Sequence, residues 1–273
     1  MKILQMVTAA VLFASSTAGA AQFGGVEEIS AYLAPHYFQW EEFHQGEKLL
    51  REQGWLMGAG GLARVNLLKA EAGSLMATGR AELFGGIVDY DGQTQGPDNL
   101  PVKTDVNYFG TREEVDLGWR IYQQRLAVEP FFGFGARWWL RDLDDSHAVD
   151  RTGTPVMVNG YTEDWRSFYL RLGGRLDLAV ADEWRIFAEG GAKFPFYTEN
   201  VVNVSGDDIT IKPDGAWSAF AEAGVRFKKL KLSAFYEGFR YDQSPGVVVG
   251  KFQFFQPVSK SDIFGLRAGW AFK

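Results

Sequence analysis

Residues 184–196 read Trp184-Arg185-Ile186-Phe187-Ala188-Glu189-Gly190-Gly191-Ala192-Lys193-Phe194-Pro195-Phe196, and this stretch decides the fold. Taken two at a time, Trp184, Ile186, Ala188, Gly190, Ala192, Phe194 and Phe196 share one face. Arg185, Phe187, Glu189, Gly191 and Lys193 share the other. Successive side chains of a strand point to opposite sides, so this is a strand with one apolar and one charged face.

The same split recurs in both directions. Trp217, Ala219, Ala221, Ala223, Val225 and Phe227 oppose Ser218, Phe220, Glu222, Gly224 and Arg226. Upstream, Leu170, Leu172, Leu176 and Leu178 oppose Arg171, Arg175 and Asp177. Val128, Phe132, Phe134, Ala136 and Trp138 oppose Glu129, Arg137 and Arg141, and Val115, Leu117, Trp119 and Ile121 oppose Glu114, Asp116 and Arg120. Leu75, Ala77, Ala81 and Leu83 oppose Arg80 and Glu82, and the last segment sets Phe264, Leu266, Ala268, Trp270 and Phe272 against Arg267. Segments 29–40, 55–68 and 231–241 read more weakly as strands, because aromatics fall in both phases.

The connections alternate in length. Long loops are expected at 41–53, 91–112, 142–163, 198–215 and 242–260, with tight turns near 69–73, 122–125, 181–183 and 228–230. Five long hairpin loops and four short turns require ten strands, with eight or twelve if one weak segment is misread. The expected fold is therefore all-β: a closed antiparallel transmembrane barrel with short periplasmic turns and long extracellular loops.

The apolar face carries almost no charge, as a lipid face must, since a cation at the bilayer midplane costs about 2–4 kcal/mol. Trp55, Trp138, Trp165 and Trp217 fall near the long-loop ends, and Trp119, Trp184 and Trp270 near the short-turn ends. Together they predict two aromatic girdles. The opposite face predicts a charged lumen lined by Arg64, Arg80, Glu82, Glu114, Asp116, Arg120, Glu129, Arg137, Arg171, Arg175, Asp177, Arg185, Glu189, Lys193, Glu222, Arg226, Glu237 and Arg267. Both signs are abundant, so an interlocking ladder of ion pairs is favoured over an open selectivity lining.

The bulk numbers agree with this reading. Aromatics make up 15% of the 273 residues and glycine contributes 32, as suits strands that pack rings and bend. A net charge of -6 without a basic run argues against nucleic acid as a partner. With no cysteine, disulfides, thiolate metal sites and a cysteine nucleophile are excluded. Lys2, the apolar run 3–14 and Ala18-Gly19-Ala20 read as a secretory signal over 1–20, cleaved near Ala20 or Ala21, with the barrel domain over 21–273.

Two runs carry a resemblance. Arg80-Ala81-Glu82-Leu83-Phe84-Gly85-Gly86-Ile87-Val88-Asp89-Tyr90-Asp91-Gly92 is similar to a strand-to-loop motif of proteobacterial outer-membrane barrels. So is Glu129-Pro130-Phe131-Phe132-Gly133-Phe134-Gly135 through Trp138-Trp139. The chain thus resembles the small outer-membrane β-barrel superfamily, which implies a fold and a place in a Gram-negative outer membrane but no particular activity. Members commonly end on an aromatic residue, whereas here Phe272 precedes Lys273.

Function is expected to be non-enzymatic: either a narrow porin-like channel, or a structural and surface-interaction barrel with a charge-filled lumen. The alternatives are an outer-membrane hydrolase, which would need His36, His44 or His147 beside a carboxylate or serine, and a loop-based adhesin or receptor. No cofactor, metal site or catalytic residue is expected. Asp142, Asp144 and Asp145, or Asp89 and Asp91, offer oxygen ligands, but without the spacing of a calcium loop. Expected partners are outer-membrane lipid, lipopolysaccharide and the barrel-insertion machinery, with the barrel a monomer.

Overall fold

The computed structural model describes residues 24–94, 99–204 and 207–273; the signal segment expected over 1–20 and its expected cleavage site lie outside the described residues. The chain runs up and down through β1 (Gly25–His44), β2 (Glu47–Ala70), β3 (Gly73–Gln93), β4 (Pro101–Gln123) and β5 (Leu126–Leu143). A small hairpin follows, β6 (Ser146–Val149) with β7 (Pro155–Val158), before β8 (Thr162–Ala181) and β9 (Trp184–Val204). β10 (Asp207–Ile211) folds back on β9, and β11 (Gly215–Ala216) leads into β12 (Ser218–Phe227) and β13 (Leu230–Tyr241). After a second small hairpin, β14 (Val247–Val249) with β15 (Phe252–Phe254), β16 (Val258–Ala271) returns to β1. Ten of these form the wall, in the order β1-β2-β3-β4-β5-β8-β9-β12-β13-β16, every neighbour antiparallel. The seam runs from Ser30↔Ala271 to Phe43↔Val258, interrupted at Ala34 and Pro35, so the wall closes on itself.

The outward side chains form an apolar belt. Leu33 is 58% exposed, Trp55 68% and Leu266 63%, and Leu83, Val115, Phe134 and Leu172 are exposed with them. A contiguous apolar surface that encircles the molecule is untenable in water and natural in a bilayer. Trp55, Trp138 and Trp217 stand outward toward the long-loop end, and Trp119, Trp184 and Trp270 toward the tight-turn end. Trp165 corrects the girdle reading. It is 0% exposed and lies inside the barrel, stacked on Trp139 at 5.1 Å. Its odd number puts it in phase with Arg171, not with the outward Leu170 and Leu172, so alternation overrides height along the strand.

The strands outrun the bilayer. β2 has 24 residues, whereas about 9–11 suffice to cross. The long loop expected at 41–53 is instead a two-residue turn, Gln45–Gly46, with φ of 53° and 87°, the left-handed pair that tight hairpins favour. The loop expected at 91–112 is likewise mostly strand, since β4 begins at Pro101. Above the belt, outward positions become polar while the ladder continues. Gln39↔Gln53, Gln53↔Asp89 and Asp89↔Asp105 form one cross-strand row, and Glu41↔Arg51, Arg51↔Asp91 and Asp91↔Lys103 form the next. Water meets this upper wall, so the apolar alternation that marks a strand disappears there.

Candidate functional site

The interior is built in layers. At the tight-turn end a charged rim gathers Glu28, Arg64, Arg120, Asp177, Arg185, Arg226 and Lys231. Arg226 lies 3.3 Å and Lys231 2.9 Å from Glu28, and Arg185 lies 2.8 Å from Asp177. Arg185 shares the inward phase, but its side chain is 48% exposed, so it belongs to the rim and not the enclosed lumen. β9 has only just begun at that height.

Next comes a dense lattice of ion pairs. Arg171 reaches Glu114 at 2.8 Å, Asp116 at 3.0 Å and Glu189 at 2.8 Å. Arg175 reaches Glu189 at 2.7 Å and Glu129 at 3.1 Å, and also pairs with Asp116. Arg80 is shared by Glu222 at 3.4 Å, Glu114 at 3.7 Å and Glu189 at 3.8 Å. Arg112 holds Glu82 at 2.9 Å and Glu237, Arg267 holds Glu222, Lys193 holds Glu237 and Arg64 holds Glu129. Rings from both walls fill the gaps. Phe131 lies under Arg175 at 4.0 Å, Phe220 under Arg171 at 4.6 Å and Phe235 under Arg267 at 4.0 Å. Buried charges persist only when paired, and here nearly every guanidinium meets several carboxylates. Two cavities among these groups measure about 70 Å³ and 10 Å³, room for a few waters at most.

Above the lattice lies an aromatic layer. Trp139 and Trp165 stack, Trp40 meets Trp165 edge-on at 5.3 Å, and Tyr241 closes the group 5.9 Å from Trp165. Beneath them Phe38 packs on Tyr108 at 4.8 Å and Tyr169 on Phe239 at 5.4 Å. Arg137 stands in this layer without an ion-pair partner among the described residues, its guanidinium 4.6 Å from the Trp139 ring and 4.7 Å from Phe239.

The top layer is a site that the sequence reading misses. Arg141 joins Glu52, whose other oxygen accepts from the Tyr108 hydroxyl, and lies 2.7 Å from Glu163. Trp40 Nε1 donates to Glu42 at 2.9 Å, and Trp165 Nε1 donates to Glu163 at 2.7 Å. The available signal is the inward phase of β1, which runs His36, Phe38, Trp40, Glu42. It places Trp40 and Glu42 one above the other, where 41–53 reads as loop.

A cavity of about 240 Å³ rests on this layer. Glu42 and Glu163 form part of its floor; its walls include Tyr90, Val102, Leu143, Val158, Tyr161, Val202 and Ile211. Glu42 stands five residues beyond Tyr37, the cross-strand partner of the girdle residue Trp55, about 16 Å further along the strand, and its outward neighbour Glu41 lies in the polar rows above the belt. Burial pushes the Glu42 carboxyl up to about 7; Arg141 pulls it down, and Glu163 and Glu52 add to the rise. Burial likewise raises the Tyr161 hydroxyl.

Among the described residues the histidines stand apart from a nucleophile they could activate. His36 is buried between Phe84 and Phe235 with Nδ1 2.9 Å from the Ala34 carbonyl, His44 meets Gln243 at 3.3 Å, and His147 is exposed on β6. Among the described residues none lies in hydrogen-bond reach of a carboxylate or serine. The loop acids tie the connections. Asp142 accepts from Thr162 at 2.7 Å, Asp145 from the Gly160 amide at 2.7 Å and Asp144 from Asn107 at 3.3 Å.

This ten-strand wall is the fold of the small outer-membrane β-barrels. The outer-membrane protease OmpT of Escherichia coli superposes with a TM-score of 0.57 and 11% identity, over 93% of this chain and 99% of that one. The β domain of the Bordetella autotransporter BrkA aligns at a TM-score of 0.39 and 15% identity, over 88% and 99% of the two chains. A major outer membrane protein from Thermus thermophilus aligns at 0.38 and 13%, over 89% and 99%. Neither a protein-family model nor a curated protein sequence matches the chain.

Proposed function

We propose that this chain is a non-enzymatic barrel of a Gram-negative outer membrane, closed to permeation, whose working face is the extracellular mouth. The carrying observation is the double closure of the lumen. The ion-pair lattice and the aromatic layer lie in series, and the cavities within the lattice measure about 70 Å³ and 10 Å³. A ten-strand barrel is only slightly wider than the size that side chains can fill, and here large side chains of both kinds occupy it. The lumen charges act as a structural core and not as a selectivity lining. Both termini then lie in the periplasm, the signal at 1–20 directs export, and lipopolysaccharide surrounds the upper girdle.

The hydrolase alternative lacks support in the positions of His36, His44 and His147. The likeness to OmpT is one of fold. The test is conductance of the refolded mature chain in a planar bilayer across a range of salt. No steps are expected. Steady, salt-dependent steps from a folded barrel would restore the porin-like channel.

A further inference from the structure

We infer that the vestibule above the tryptophan layer is a binding site for a small organic cation with an apolar body, its charged head on Glu42. The site deepens the reading of the mouth as the working face and rests on it.

Three features select this ligand class. First, the floor has surplus negative charge: Glu42, Glu52 and Glu163 converge on Arg141, and the pairs made by Arg141 go to Glu52 and Glu163. Second, Glu42 is only half used. One carboxylate oxygen accepts from Trp40 Nε1 at 2.9 Å and from Gln256 Nε2 at 2.8 Å, while the other accepts nothing among the described residues. Glu42 is 4% exposed and lines the cavity, so that oxygen faces the space without a protein donor and is open to one from a ligand. Third, most of the wall around it is apolar or aromatic, with Tyr90, Val102, Leu143, Val158, Tyr161 and Val202 facing the space, and polar groups such as Thr104, Asp144 and Asn159 complete it. Concave sites of this kind, mostly apolar with a few convergent polar groups, are where small ligands bind. An ammonium group would complete the Glu42 carboxylate, and the two tyrosine rings would favour its charge. A volume of about 240 Å³ holds a ligand of roughly single-ring size.

The groups facing Glu42 make binding depend on pH. Arg141 from β5 favours its ionised form. Glu52 from β2, Glu163 from β8, Tyr90 and Tyr161 at the walls, and Asp144 beyond the end of β5 are the other titratable groups around the space. Both tyrosine hydroxyls are raised and stay neutral near pH 7. With the Glu42 carboxyl pushed up to about 7, a cation meets a carboxylate above that pH and a neutral acid below it.

The experiment uses the mature full chain refolded in detergent. Benzylamine is the probe, benzyl alcohol the neutral control, and empty micelles the reference in calorimetric titration. Saturable benzylamine binding at pH 8 is expected. It should weaken at least tenfold for benzyl alcohol, for Glu42→Gln, and for wild type at pH 5.5. Equal binding of benzyl alcohol, unchanged binding by Glu42→Gln, or no saturable benzylamine binding overturns the site. Should Glu42→Gln fail to fold, the wild-type pH series and the cavity-filling Val202→Trp decide in its place, with binding lost in both if the site is real. Conductance of the same preparation separates the two claims. Channel steps with binding intact overturn the closed lumen alone, and silence without binding overturns the site alone.

Discussion

Glu113 faces lipid. It sits on the outward phase of β4 between Thr111 and Val115, cross-strand from Ala81 and Ala136, with Phe109 four residues above and Trp119 six below. A carboxyl group in mid-belt opposes insertion, although less than the 2–4 kcal/mol of a cation. Glu113→Leu should therefore stabilise the vesicle-inserted barrel by about 1–2 kcal/mol in denaturant unfolding. No gain would mean that a polar partner meets the carboxyl within the bilayer. Arg141 presents the opposite case. Arg141→Met leaves Glu52 and Glu163 buried without their counter-ion, which costs about 3–5 kcal/mol. A loss below about 1 kcal/mol would mean that water already solvates the pair. Glu42 adds a dependence on pH. Its folded-state carboxyl lies above the ordinary 4.5, at about 7, so its stabilising contribution is complete below pH 4.5 and lost as pH rises through 7. The denaturant midpoint should fall between pH 5 and pH 8, and Glu42→Gln should flatten that slope; an equal slope in the variant would assign it to other groups.

The elements show where reading the sequence succeeds and where it stops. The segment 184–196 reads correctly because bilayer and lumen impose opposite chemistry on its two faces along that whole length. β1 is read as a strand over 29–40 but only weakly, and its continuation to His44 is missed. Its inward phase carries Tyr32, His36, Phe38 and Trp40 before reaching Glu42, because the upper lumen is closed by rings instead of charges. Aromatics therefore occupy both phases and blur the strand. Trp165 is misplaced for the same reason, since a tryptophan near a membrane interface reads as girdle unless its phase is counted. The turn Gln45–Gly46 is legible in principle from its glycine, but the polar outward rows beside it mimic a loop. The β6–β7 hairpin makes its ladder only with itself, although it contributes Ala148 to the buried cluster and Val158 to the vestibule wall. Replacing 146–158 by a short flexible linker should leave the wall folded, still running as a compact band on unheated gels, while removing one side of the vestibule. Failure to form that band would make the hairpin part of the folding core.

At the scale of the whole molecule the lumen is closed twice, and the two closures differ in kind. The lattice below is held by multivalent pairs in which Arg171 alone contacts Glu114, Asp116 and Glu189, so losing one partner still leaves the others bound. The layer above is held by ring contacts, with Trp139 central because it stacks on Trp165 and carries Arg137 on its face. Barriers in series add, and a path opens only when both fail. Trp139→Ala should therefore cost about 3–5 kcal/mol of stability, as a large core truncation does, without opening a conductance. It also releases Arg137 from one of its rings, leaving a cation above a lattice already balanced by its own carboxylates. Conductance in Trp139→Ala would show that the lattice leaks and that the tryptophans are the true gate; silence, together with the stability loss, is what two independent closures require.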